Sequence, residues 1–247
     1  MMNLTRRLTE GVGAWMHFEL MCNRSGLFNE RYLSAAVGQI LSSTFGSRVH
    51  GEFDHPVLAP IMAGSGKRPA LDFVCCDPYP EIKIAIETKW AGSKYTSAES
   101  IVWDLIRLEL VANRYHAECI FLIAGQKSDL EKLFQTADFF GPASTPGRQA
   151  ILNTNSNAQQ RLSLLPDKPY RIPLLRRVFK RCQEVAIPHS IVTRRASPFP
   201  TACPSNHFQV FAWHVNSAVR RSEFFPKTNQ HFRHPCVGEL PSGSTSP

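Results

Sequence analysis

The chain lacks any run of 18 apolar residues, and it lacks an N-terminal basic stretch followed by a long apolar one. Both absences predict a product that is neither secreted nor membrane-spanning, located in the cytoplasm with no membrane partner. No C-x-x-C spacing occurs among the seven cysteines, Cys22, Cys75, Cys76, Cys119, Cys182, Cys203 and Cys236. Four of them sit in apolar or helical runs, as reduced cytosolic thiols do. Acid is also scarce. There are 20 Asp and Glu against 28 Lys and Arg, for a formal charge of +8 and a pI of about 9.3. That balance favours a polyanionic partner, although net charge alone does not separate DNA, RNA and acidic membranes. A complete phosphate-binding loop is missing too: Gly64-Ser65-Gly66-Lys67 has its ending, but Arg68 stands where Ser or Thr is required. Lys67 and Arg68 are better read as a basic loop able to touch a phosphate backbone, or as an ordinary solvent loop.

What is present fits a globular protein. The chain has 247 residues and is 43% hydrophobic, enough for one large domain or for one domain with a smaller appendage. Its most informative stretch is Leu71-Asp72-Phe73-Val74-Cys75-Cys76, a turn cluster Asp77-Pro78-Tyr79-Pro80, then Ile84-Ala85-Ile86-Glu87-Thr88-Lys89-Trp90. The two apolar runs can fold back on each other as an antiparallel pair. With the turn centred between Tyr79 and Pro80, Asp72 falls opposite Glu87. Alternation puts Glu87 and Lys89 on one face and Ile84, Ile86 and Thr88 on the other. Directly opposed positions have Cβ atoms about 4.5–5.5 Å apart, so both carboxylates can reach one ion. Hard Mg²⁺ prefers such oxygens and keeps waters, one of which can become a nucleophile. Asp72 and Glu87 are the candidate ligands; Lys89 would orient or help deprotonate that water, or offset charge on a transferring phosphate. The plainer alternative is that Lys89 pairs with Glu87 and Asp72 caps a loop.

Periodicity places elements around this pair. A first helix is expected within 12–22, and a clearer one over 29–45, where Leu33, Ala36, Val37, Ile40 and Leu41 form a stripe behind Asn29 as N-cap. Glu30 lies on the side of Leu33 and Val37, and a carboxylate there is costly unless it is paired or metal-bound. A strand is expected over 48–58. The capping-box spacing Thr96-Ser97-Ala98-Glu99 opens a helix to about Tyr115, with Ile101, Val102, Leu105, Leu108 and Ala112 inward. Asp104 and Arg107, three residues apart on it, are expected to pair on its surface rather than act. A strand over 118–124 and a helix from Ser128 to about Phe139 follow.

Beyond that, 141–161 reads as an exposed loop or hinge, 174–186 as a helix, and 190–195 with 207–215 as paired strands. Arg171, Arg176, Arg177, Lys180, Arg181, Arg194 and Arg195 are seven bases in 25 positions against one acid, Glu184. They suit a phosphate-contact surface, as Lys94 does in the loop just past Lys89, although a solvated helix face explains the helical ones as cheaply. The expected division is a core over 1–140 with N-terminal helices, a basic extension over 141–237 and a flexible tail over 238–247.

This order, together with Asp72 and Glu87-x-Lys89, resembles the PD-(D/E)xK nuclease superfamily, which includes many restriction endonucleases and junction resolvases. The resemblance spans Leu27 to Gly125, about 40% of the chain, with Leu71 where a proline often precedes the family's Asp. It implies an α/β fold, a restriction-endonuclease-like mixed sheet with an α-β-β-β-α-β core. It further implies a Mg²⁺-dependent deoxyribonuclease, Mn²⁺ substituting, with Asp72, Glu87 and Glu30 as metal ligands and Lys89 assisting the attacking water. DNA is the expected partner with RNA left open, and a homodimer would suit double-strand cleavage. Two other readings compete. One is a non-catalytic nucleic-acid-binding or structural subunit of the same fold. The other is a zinc module built from Cys203, His207, His231, His234 and Cys236, whose spacing matches no closed-site pattern.

Overall fold

A computed structural model describes residues 3–62, 68–217 and 222–233. Lys67, His234, Cys236 and the expected tail lie outside the described residues. The chain forms an α/β fold around one mixed, mostly antiparallel seven-stranded sheet with helices on both faces. Along the chain come α1 (Leu4–Met21), α2 (Glu30–Phe45), β1 (Val49–Asp54), a short α3 (Leu58–Ile61), β2 (Ala70–Cys76), β3 (Ile82–Trp90), α4 (Ala98–Tyr115) and β4 (Glu118–Gln126). Then follow α5 (Lys127–Gln135), α6 (Ala137–Phe140), β5 (Gln159–Ser163), α7 (Ile172–Phe179), β6 (Ile187–Pro188), β7 (Ser190–Arg195), β8 (Phe208–Asn216) and β9 (Glu223–Phe224). The large sheet runs β1-β2-β3-β4-β8-β7-β5, and β6 pairs with β9 separately.

The expected hairpin forms in the expected register. Phe73 pairs with Ile86, Val74 with Ala85 and Cys75 with Ile84, which sets Asp72 against Glu87 at the next step. A register shift at Cys75/Cys76 absorbs the proline-rich turn. Strand β4 lies parallel to β3, so α4 is the crossover between them and packs against both. Side chains alternate across β3 as the pattern requires. Ile84 and Ile86 enter a core with Leu8, Val12, Leu33 and Val37 of α1 and α2, whereas Ala85 enters the core beneath α4.

Helix ends follow from local chemistry. Asn29 caps α2 by accepting the Tyr32 N–H at 3.0 Å, and Gly46, at φ 60°, ends that helix. Ser97 caps α4, but Ser100 reciprocates rather than the expected Glu99 pairing with Thr96. Glu99 instead binds Arg177 and Arg181 across to α7. Helix α1 starts eight residues before its expected place, because Leu8, Val12 and Met16 continue one buried stripe. Ser128 does not cap: α5 begins at Lys127, and Thr136 breaks it and caps α6.

The polar stretch 141–161 is neither a bare loop nor a hinge. Ala150, Ile151 and Leu152 are buried, and its end enters the sheet as β5 against β7. The expected pairing of β7 with β8 is present, with Thr193 opposite Val215, and β8 bonds to β4. The basic segment therefore continues the same sheet. Among the described residues β1 lies at the opposite edge of the sheet beside β2, and Glu52 within it adopts a left-handed backbone at φ 49°. Among the described residues no helix is long and apolar enough to cross a membrane.

Candidate functional site

The C-terminal part of β3 delivers Glu87 and Lys89, β2 delivers Asp72, the first residue of α2 is Glu30, and the second and third turns of α4 add Asp104 and Arg107. Lys89 Nζ is 3.0 Å from Asp104 Oδ2 and 3.4 Å from Glu30 Oε1. Arg107 Nη2 is 2.7 Å from Glu87 Oε2 and 2.8 Å from Asp104 Oδ1, and its Nη1 donates to Ala70 O at 2.6 Å. Asp72 Oδ2 accepts from Thr88 N at 2.7 Å and from Thr88 Oγ1 at 2.8 Å. Four carboxylates thus surround two cations at one end of the β2–β3 pair. Of the four side chains expected there, Lys89 touches Glu30, Glu87 is linked to Lys89 only through Arg107 and Asp104, and Asp72 is bonded to Thr88.

Asp104 and Arg107 do not pair on a solvated surface. Their side chains are 3% and 11% exposed, and they bridge Glu87 to Lys89. The signal was available in the sequence: Asp104 follows Ile101 by three and precedes Leu108 by four, inside the buried arc of α4. Proximity in sequence suggested a simple surface pair and hid that placement.

Burial sets the electrostatics. Glu87 is fully buried, and desolvation holds its pKa well above the ordinary value, with Arg107 opposing the shift and the Asp104 and Asp72 charges adding to it. Asp72 is raised chiefly by burial, against the pull of Lys89 and the Thr88 hydrogen bonds. For Lys89, burial disfavours the charged amine, yet Asp104, Asp72, Glu30 and Glu87 outweigh it and raise the pKa. Lys89 is consequently a cation at neutral pH and a poor base. Glu87 Oε1 and Oε2 and Asp104 Oδ2 accept no well-aligned hydrogen bond, although Oε2 and Oδ2 each touch a cation.

Those orphaned oxygens are hard donors of the kind Mg²⁺ takes, so the chemistry of the set fits the ion. Among the described residues, however, no three His, Cys, Asp or Glu side chains are grouped so as to hold a metal. Arg107 contacts both Glu87 and Asp104, and Thr88 bonds one oxygen of Asp72. The same absence covers Cys203, His207 and His231 of the zinc reading. Cys203 Sγ lies 4.0 Å from the Phe208 carbonyl oxygen.

The basic candidates have separated fates. Arg68 is exposed and 3.4 Å from Asp54, and Lys94 is exposed over the Tyr95 ring. On α7 and just beyond it, Arg176 donates to His231 O, Arg177 binds Glu99 and Asp138, Arg181 binds Glu99, and Lys180 is exposed. Arg194 is exposed on β7. Arg195 is buried instead, donating to Thr154 O and Asn157 Oδ1 and lying over Phe211, so it holds the 153–157 loop to the sheet. Alternation along β7 put these two arginines on opposite faces.

A buried histidine braces the cluster from behind. His55 Nδ1 accepts the N–H groups of Val57 and Leu58, both at 3.2 Å, which leaves Nε2–H to donate to Arg107 O at 3.0 Å. Burial lowers its pKa from 6.5 to about 4, against the Arg107 carbonyl bond. A folded pKa below the unfolded one means that the unfolded chain binds more protons between these values. Stability from neutral His55 is therefore complete above pH 6.5 and lost as pH falls toward 4. In His55→Asn, whose amide oxygen can replace Nδ1, the deficit relative to wild type should shrink by about 3 kcal/mol over that window in urea unfolding. A deficit independent of pH would show that His55 does not titrate there.

The buried thiols Cys75, Cys76, Cys119 and Cys182 are free, and burial raises the pKa of each, that of Cys182 to about 12. They are packing groups, not nucleophiles. Comparison of the chain with family models, with curated proteins and with solved structures gave no match.

Proposed function

We propose that the protein is a Mg²⁺-dependent phosphodiesterase acting on DNA, a nuclease of restriction-endonuclease-like type. The observation that carries this reading is the placement of Asp72, Glu87 and Lys89 from β2 and β3 in one largely buried charge cluster, with the 40% exposed Glu30 of α2 3.4 Å from Lys89. Support also comes from the core order, a helix, three antiparallel strands, a crossover helix and a parallel fourth strand. Asp72, Glu87 and Glu30 would hold Mg²⁺, or Mn²⁺ in its place, and the bound ion supplies an activated water and charge stabilisation at the phosphoryl oxygens. Lys89, held by Asp104 and Glu30, stays protonated and so orients that water or neutralises the phosphate rather than taking a proton. Exposed Lys94, Lys180 and Arg194 would supply backbone contacts, with RNA recognised by the same charges. A homodimer would present one such cluster to each strand.

A second reading, a non-catalytic nucleic-acid-binding or structural subunit, has one observation in its favour. Glu87 is sealed from water and already paired with Arg107. Incubation of wild type, Glu87→Ala and Lys89→Ala with supercoiled, linear and branched DNA plus Mg²⁺ separates the two. Lys89→Ala should lower the cleavage rate by about 100-fold, a general acid–base or positioning effect. Wild type and variants that behave alike would remove the nuclease reading, and persistent DNA affinity without cation binding would establish the second.

A further inference from the structure

A polar cavity of about 790 Å³ opens on the other face of the sheet from the charge cluster. Glu87 shares the α4 side with Ala85, whereas His214 shares the α1 side with Ala212. Strand register builds the floor of the cavity. Gln159 of β5 lies opposite Arg194 of β7, and Arg194 lies opposite His214 of β8, so three polar side chains cross three adjacent strands in one row. Asn216, two residues beyond His214, falls on the same face. The first turn of α1, with Thr5 and Arg6, forms the wall. Val210 and Ala212, earlier on β8, pack into the apolar core under α1, and the polar row begins where that core ends.

These groups are not spent on one another. Among the described residues the side chains of Gln159, Arg194, His214 and Asn216 make no hydrogen bond, and Arg194 has no acid beside it. Thr5 is only 2% exposed, yet its Oγ1 is without a partner. Arg6 is held by Glu10 at 2.7 Å and Arg195 is committed to the 153–157 loop, which leaves the charge of Arg194 uncompensated. The first turn of α1 contains no acid, so the positive end of this 18-residue helix adds to Arg194. Burial keeps the His214 pKa below its ordinary value, and the neutral ring offers one donor and one acceptor. A guanidinium, a buried hydroxyl and a helix start suit a phosphate, whereas amides and a neutral imidazole suit hydroxyls or a base. The volume falls within the range of about 300–1,000 Å³ usual for small-ligand sites and exceeds what phosphate alone fills. We propose that this cavity binds a small phosphorylated molecule of mononucleotide size, its phosphate held by Arg194 and Thr5 at the start of α1, and its sugar or base by Gln159, His214 and Asn216. This inference stands apart from the nuclease reading, with which it shares only Arg194 as a candidate phosphate contact.

Calorimetric titration of the full chain with adenosine monophosphate, ribose phosphate, adenosine and inorganic phosphate tests this. At least one of the two phosphorylated probes should saturate a single site, and the tighter of them distinguishes a nucleotide from a sugar phosphate. Arg194→Ala should weaken that binding about tenfold, the loss of a charge-assisted hydrogen bond. Thr5→Val should weaken it about fivefold yet leave stability in urea at or above that of wild type, because the deleted hydroxyl has no partner in the fold. Lys180→Ala removes an exposed cation just past α7, which packs on α4, and should leave affinity unchanged. Equal losses in Arg194→Ala and Lys180→Ala would mean diffuse attraction and overturn the proposal. So would unaltered binding by Thr5→Val, or adenosine or inorganic phosphate binding as tightly as the phosphorylated probes. Capture of a DNA oligonucleotide with no binding of either phosphorylated probe would likewise overturn it, in favour of a nucleic-acid surface.

Discussion

Replacement of Arg107 by methionine is expected to lower the unfolding free energy by about 3–5 kcal/mol at neutral pH, because the buried Glu87 carboxyl loses its cationic partner and must stay charged in a dry site or take up a proton. The side chains involved are 11% and 0% exposed, so solvent cannot take over the role of the lost guanidinium. The loss should depend on pH in a definite direction. Burial already raises the Glu87 pKa above 4.5, and removal of Arg107 deletes the principal opposing charge. A carboxyl whose folded pKa exceeds its unfolded one costs stability above the folded value, and the cost fades as pH falls through it toward 4.5. The deficit of Arg107→Met measured by urea unfolding should therefore narrow between pH 7 and about 4.5. Adding Glu87→Gln should recover most of it at pH 7, since replacing both partners of a buried pair is far cheaper than breaking it. A single variant as stable as wild type at every pH would mean that Glu87 is not sealed behind Arg107.

Trp213→Ala should cost a comparable amount, about 3–5 kcal/mol, by emptying the largest fully buried side chain. Its ring is stacked 5.7 Å from Phe211, lies 6.1 Å from Phe121 and meets Phe134 edge-on at 6.4 Å. The indole also donates from Nε1 to Asn153 O at 3.0 Å, and that bond ties the 150–157 segment to β8. The substitution should thus do two things at once, lowering global stability and exposing this polar segment to protease. Trp213→Phe separates them: it keeps most of the packing and loses the bond. If Phe and Ala variants are cleaved equally readily near Asn153 while only Ala unfolds early, the hydrogen bond is the tether. If Trp213→Phe is as resistant as wild type, packing alone holds the segment.

What could be read from the sequence was what lies close together in it. The β2–β3 register followed from the Asp77–Pro80 turn and period-two alternation, and with it came the opposition of Asp72 and Glu87. Glu30 was legible because an acid on the Leu33 and Val37 side of a helix has few other uses. Arg107 was missed, since an Asp and an Arg three apart on a helix form the commonest kind of surface pair, although Asp104 falls inside the buried arc of α4 set by Ile101 and Leu108. The same limit hid β5, whose Gln159-Gln160-Arg161 sequence has little strand propensity and is recruited by pairing with β7. Arg195 shows the converse case. A charge that looked available to a phosphate is committed to two backbone-and-amide partners in a neighbouring loop.

The left-handed residue on β1 has a consequence for encounters between copies of the chain. An open strand edge is a template on which another strand can zip, and β1 is such an edge. Glu52 breaks it at its middle. Its φ of 49° turns the backbone donor and acceptor out of the line that an approaching strand must match, and Asp54 adds a second exposed acid two residues on. The conformation costs about 1 kcal/mol in a non-glycine residue, and the pairing of β1 with β2 skips Glu52 and resumes in the same register at Phe53 and Asp54. Continuous β-zipping along β1 is thereby frustrated at Glu52.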